Sequence, residues 1–174
     1  MTAGSRPAIR WPRYLSFLPG FLFRAEGPKW RYVAGATGLS LLGNLILSAV
    51  ALFALPGHVG APERDVASIG EILGLVLFAP VIETALMAGL LALLARWPGP
   101  GAGVVISAIL WGCLHGMLSL RWGLAIWWSF LIFGIAFLSW GRAEAAVRGL
   151  FVSTAIHAAQ NSCAVLLLLV AGLL

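Results

Sequence analysis

Four side chains in this sequence have chemistry that their surroundings do not. Glu83, His115, His157 and Asn161 supply a carboxylate, two imidazoles and an amide, and all lie within long apolar runs. Glu83 sits near the middle of the run Ile69–Ala95. An ionisable group there costs roughly 2.5–3.5 kcal/mol on insertion scales, so it must be neutralised or paired. His157 and Asn161 are four residues apart and share one face of a helix. Together the four are the parts that amide hydrolysis needs. A carboxylate takes a proton from water, an imidazole orients that water, and an imidazole with an amide hydrogen-bonds the oxyanion. The same groups also suit a proton relay or small transporter, or a structural polar core in a non-catalytic scaffold. Asn44 and Gln160 read as ordinary interhelical hydrogen-bonding residues.

Positioning these groups falls to membrane helices. Of the 174 residues, 61% are hydrophobic and 10% charged, with a mean hydropathy of +0.99. That composition specifies an integral membrane domain in contact with the lipid bilayer. Five apolar spans are expected: Tyr32–Leu55, Ile69–Ala95, Ala102–Leu120, Trp122–Trp140 and Leu150–Leu174. Each is near or above the ~20 residues a spanning helix needs, and lipid offers backbone groups no other partner. The fold class is therefore an all-α polytopic membrane bundle. Pro56-Gly57, Pro62 to Asp65, and Trp97 to Gly101 mark two of the loops.

The net charge of +5 does not point to nucleic acid, because six of the eleven basic residues lie in the first 31 positions. Residues 1–31 interleave arginines with aromatics and are expected to form an interfacial segment; residues 32–174 form the membrane domain. No signal peptide is read here, since Pro19-Gly20 interrupts the apolar part. With the N-terminus inside, inner segments hold Arg6, Arg10, Arg13, Arg24, Lys29, Arg31, Arg96, Arg142 and Arg148, and outer loops only Arg64 and Arg121. This excess places the N-terminus in the cytoplasm. Trp30, Tyr32, Trp97, Trp122 and Trp140 are expected at the two interfaces. One lysine among many arginines, alanines and glycines suggests a GC-rich gene and a bacterial inner membrane. Cys113 and Cys163 lack zinc-site spacing and read as small apolar packing residues.

Small residues flank the polar groups. Gly112 and Gly116 beside His115, and Ala85 and Gly89 beyond Glu83, let neighbouring helices approach closely. The span limits leave one conflict. At 1.5 Å per residue Glu83 lies near the midplane, but His157 would lie only ~10 Å from the inner end of its span and His115 ~8 Å from the outer end of its own. Two adjustments are expected: the last helix starts near Ala143, and the Gly116–Gly123 connection dips into the membrane as irregular backbone.

The order of these motifs resembles the CPBP group of intramembrane endopeptidases, which includes CAAX proteases and bacteriocin-processing and immunity-type proteins. That family shows Glu-Glu-x-x-x-Arg on one helix, aromatic-x-x-x-His on the next and His-x-x-x-Asn/Asp on a later one. This chain has Pro80-Val81-Ile82-Glu83-Thr84, Trp111-Gly112-Cys113-Leu114-His115-Gly116 and His157-Ala158-Ala159-Gln160-Asn161. The resemblance covers roughly Ile69 to Leu174. It implies that Glu83, with His115, activates water and that His157 and Asn161 stabilise the oxyanion. It further implies a glutamate-type protease without a metal, although Glu83, His115 and His157 are also a zinc-compatible set. The implied substrate is a membrane-associated protein, cut near an embedded or lipidated segment. The small size resembles myxosortase-like members that process C-terminal sorting tails. Two positions depart from the pattern: Thr84 stands where the second Glu would be, and Ala88 where the Arg would be.

Overall fold

The structure is a computed structural model that describes residues 9–56, 68–94, 96, 99–143 and 145–170. Its helices are α1 (Lys29–Ala54), α2 (Ile69–Leu73), α3 (Ala79–Leu94), α4 (Pro100–Gly116), α5 (Leu120–Ala143) and α6 (Ala146–Val170). A single π-helical turn, Gly74–Phe78, joins α2 to α3. The three together run as one apolar rod, Ile69–Leu94. No strand occurs among the described residues.

Four of these units are long and apolar enough to cross a membrane: Lys29–Ala54, Ile69–Leu94, Leu120–Arg142 and Ala146–Val170. Helix α4 is apolar but shorter, and this corrects the expected span Ala102–Leu120. The helix stops at Gly116 because the next turn closes on itself. The Met117 N–H donates to the Cys113 carbonyl, and those of Leu118 and Ser119 to the His115 carbonyl. Ser119 then caps α5, its hydroxyl accepting from the Trp122 N–H at 3.4 Å. The expected irregular Gly116–Gly123 connection is thereby also corrected, since only Met117–Ser119 separates the helices and Gly123 is helical. At the other end of α4, Gly99 takes φ 83° and Pro100 opens the helix, a pairing that suits a residue without a Cβ followed by one without an N–H.

The last helix does begin earlier than Leu150. Starting at Ala146, it places His157 about 16 Å along its axis.

Helix α5 is the centre of the bundle. Of its most apolar stretch 67% is buried, against 22–33% for the other three spans. Phe130, Leu131, Ile132, Phe133, Ile135 and Ala136 are all enclosed. On the outer helices large side chains such as Phe53, Leu86 and Val170 remain exposed, as lipid-facing residues do. Helix α4 meets α5 through glycines: a Cβ on Gly123 would lie 2.5 Å from both the Gly112 carbonyl oxygen and Gly116 Cα. The expected close approach at Gly112 and Gly116 is thus present, with Gly123 as its other half.

A buried polar layer ties α1 and α6 to α5. The Ser40 hydroxyl donates to the Gln160 side-chain oxygen, and the Gln160 amide donates to Ser129 Oγ at 2.9 Å. All three are buried. Gln160→Leu leaves both serines without that partner, so it should destabilise the protein by about 1 kcal/mol. Reversible unfolding in mixed detergent micelles would measure this.

The described part of the N-terminal segment folds onto the bundle. It carries two 3₁₀ turns, Arg13–Leu15 and Gly20–Phe23, with Leu15, Leu18 and Leu22 buried. The Leu22 carbonyl accepts from the hydroxyls of Tyr32 (2.8 Å) and Ser139 (2.9 Å).

One smaller expectation is corrected here, the packing role read for Cys113. Tyr32 and Trp140 are buried, in edge-on contact at 5.5 Å with Lys29 over the Trp140 ring. Trp30 is exposed, and Trp97 lies outside the described residues. Cys113 is exposed on α4 and packs nothing in the core.

Candidate active site

Glu83 on α3 and His157 on α6 meet. His157 Nε2 lies 3.7 Å from a Glu83 carboxylate oxygen, with the Glu83 side chain 28% exposed and that of His157 4%. The pair becomes an ion pair when the imidazole is protonated. Its spacing also leaves room for a reacting oxygen to contact both groups. On the far side of the ring, Nδ1 lies 3.3 Å from the Thr84 hydroxyl.

His115 is set by its own helix. Its Nδ1 lies 2.8 Å from the Trp111 carbonyl one turn back. A carbonyl only accepts, so Nδ1 carries the proton, and Nε2 of the neutral ring is an acceptor. That is the form needed to hold a water by its hydrogen. The aromatic at the start of the Trp111-x-x-x-His115 motif thus serves twice, through its carbonyl and through its ring. The Trp111 ring stacks on Phe130 at 4.5 Å with planes 1° apart.

The two imidazoles are brought together by α5. Phe130 lies 5.5 Å from the His115 ring and 5.7 Å from that of His157. Phe133 stacks on His157 at 4.5 Å, and Trp122 meets His115 edge-on at 4.6 Å. Sequence reasoning named Trp122 only as an interfacial residue and did not single out Phe130 or Phe133. Their signal was present: Trp122, Phe130 and Phe133 are spaced by eight and three residues, which puts them on one face of a helix.

Asn161 takes a place that the backbone explains. In the π-helical turn the Ala79 N–H donates to the Gly74 carbonyl, five residues back. In the same register the next donor, to Leu75, would be residue 80, but Pro80 has no N–H. The Asn161 side-chain amide supplies the missing bond, donating to the Leu75 carbonyl at 2.9 Å. Pro80 and Asn161 are therefore linked through a carbonyl that the first leaves unpaired and the second satisfies. One Asn161 N–H is spent there, and the amide has a second.

All four sequence-derived residues are placed, with Glu83 and His157 in direct register, His115 joined to them through Phe130, and Asn161 one turn along α6. As for zinc, no three His, Cys, Asp or Glu side chains among the described residues lie together as a metal-holding group.

Comparison with known proteins gives one result. A family model described as Type II CAAX prenyl endopeptidase Rce1-like matches residues 65–163. No match was found among curated proteins or solved structures. The matched segment contains Glu83, Thr84, His115, His157 and Asn161 and spans more than half of the chain. With its apolar helices and these motifs, the chain belongs to the Rce1-like type II CAAX prenyl endopeptidase family, within the CPBP group of intramembrane proteases.

Proposed function

We propose that this chain hydrolyses a peptide bond of a membrane-associated protein, using Glu83 as the general base. The observation that carries the reading is the Glu83–His157 pair at 3.7 Å inside an apolar helical bundle. A charge placed there without a task would be selected against by its insertion cost.

The steps follow from the hydrogen-bonding character of each group. Water is held between Glu83 and His115 Nε2. Glu83 takes its proton as the oxygen attacks the scissile carbonyl. His157, through its Nε2–H, and the second N–H of Asn161 hydrogen-bond the oxyanion that forms. Glu83 then returns the proton to the departing amine. No resident metal is assigned a step.

The substrate is a protein segment that reaches the site from the bilayer, near an embedded or lipidated stretch. Processing of a C-terminal sorting tail is one form that such cleavage would take. The distribution of arginines supports a cytoplasmic N-terminus, and a single lysine among many arginines, alanines and glycines supports a bacterial inner membrane.

The test compares membrane-protein termini in cells carrying wild type and His157→Ala. Substrate termini processed in wild type should persist uncut in the variant. Identical termini in both would refute the reading. In membranes prepared from the wild-type cells, cleavage should survive a strong chelator; loss that added zinc restores would assign the chemistry to Glu83, His115 and His157 as metal ligands instead.

A further inference from the structure

Thr84 is completely buried, and its hydroxyl oxygen lies 3.3 Å from Nδ1 of His157. The opposite ring nitrogen, Nε2, lies 3.7 Å from the Glu83 carboxylate. Phe133 stacks on the face of the ring and Phe130 stands edge-on to it. The plane of His157 is therefore fixed, and the position of its proton is the freedom that remains.

A neutral imidazole has one N–H and one lone pair, and the partner of one nitrogen decides the state of the other. A carboxylate only accepts, whereas a hydroxyl donates or accepts. With the proton on Nδ1, the Nε2 lone pair would face the Glu83 charge. With the proton on Nε2, the N–H points at the carboxylate, and Thr84 donates to Nδ1. Only the second arrangement satisfies both neighbours.

We propose that Thr84 is a positioning residue whose hydroxyl holds His157 as the Nε2–H tautomer, aiming that N–H at Glu83 and the reacting centre. Thr84 stands where the family pattern has a second Glu. An ionised Glu would accept from Nδ1–H and draw the proton away from Nε2. The hydroxyl reverses the direction of that hydrogen bond, so the departure from the pattern supplies a neutral N–H donor to the site. This assignment rests on the reading of Glu83 and His157 as the working pair. Its test reads the ring without turnover, so the proteolytic reading can fail while this one stands.

The experiment is ¹⁵N NMR of histidine-labelled full-length protein in lipid nanodiscs at pH 8, with the His157 signals identified by their loss in His157→Gln. In wild type the proton should reside on Nε2. Thr84→Val keeps the shape but cannot donate; it should lose the dominance of that form, with an Nδ1–H population appearing. Thr84→Ser should restore the wild-type spectrum. Processing in cells should fall roughly 10-fold in Thr84→Val and recover in Thr84→Ser. A wild-type proton on Nδ1 or on both nitrogens overturns the assignment, as does a Thr84→Val protein with a wild-type spectrum.

Discussion

Glu83→Gln should abolish processing while leaving the protein folded. Glutamine keeps the length and planarity of the side chain but cannot take a proton from water. Removing a general base costs typically 10²–10⁴-fold. The fold should tolerate the change, because the Glu83 side chain is 28% exposed and not locked into the core. Removing a charge from an apolar helix also relieves an insertion cost. Yield and elution profile in detergent should therefore match wild type, with the appearance of processed termini reduced at least 100-fold. A scaffold that needs only the shape of Glu83 would show no such loss.

The second large effect is structural. Gly123→Val should drive α4 away from α5. A Cβ at residue 123 would already lie 2.5 Å from the Gly112 carbonyl oxygen and Gly116 Cα. These are backbone atoms, which cannot rotate aside as a side chain can. Overpacking of this kind costs about 1–3 kcal/mol where the neighbours can shift. A shift of α4 carries His115 with it, and a displacement of about 1 Å at a reacting group costs on the order of 10²-fold in rate. The protein should lose both stability in detergent and processing in cells. Gly38→Ala provides the contrast, since nothing lies within 4 Å of a Cβ there. It should change stability by no more than about 1 kcal/mol, in the stabilising direction. Equal behaviour of the two variants would mean that the glycine contact does not set the α4–α5 spacing.

The sequence conveyed the helical membrane bundle because its apolar runs exceed the bilayer length and are broken by Pro-Gly loops. It misplaced the α4–α5 boundary for an equally physical reason. Gly116, at the end of α4, reads equally well as a packing glycine inside a helix, and a lone serine cap at Ser119 is a weak signal beside continuous apolarity. The early start of α6 followed from requiring His157 to reach the depth of Glu83.

Within the site, Glu83 and His157 were legible because ionisable groups inside apolar runs need partners. Thr84 was not, since a threonine in a helix ordinarily bonds back to its own turn and carries no such cost. The role of Asn161 toward Leu75 was also hidden. It depends on a π-helical turn that shifts the register at Pro80, and apolar periodicity does not reveal that. The aromatics of α5 were masked by their type, because Trp122, Phe130 and Phe133 look like any apolar residues in a membrane helix.

The central claim is that Glu83 activates water to cut a peptide bond. Its most direct test uses purified protein in proteoliposomes, together with a membrane protein whose terminus is lost in wild-type cells and retained with Glu83→Gln. The reaction is run in H₂¹⁸O and the fragments are weighed by mass spectrometry. Wild type should yield two fragments, with ¹⁸O in the new carboxylate, and Glu83→Gln should yield neither. Absence of cleavage by wild type, or equal cleavage by both proteins, would contradict the account.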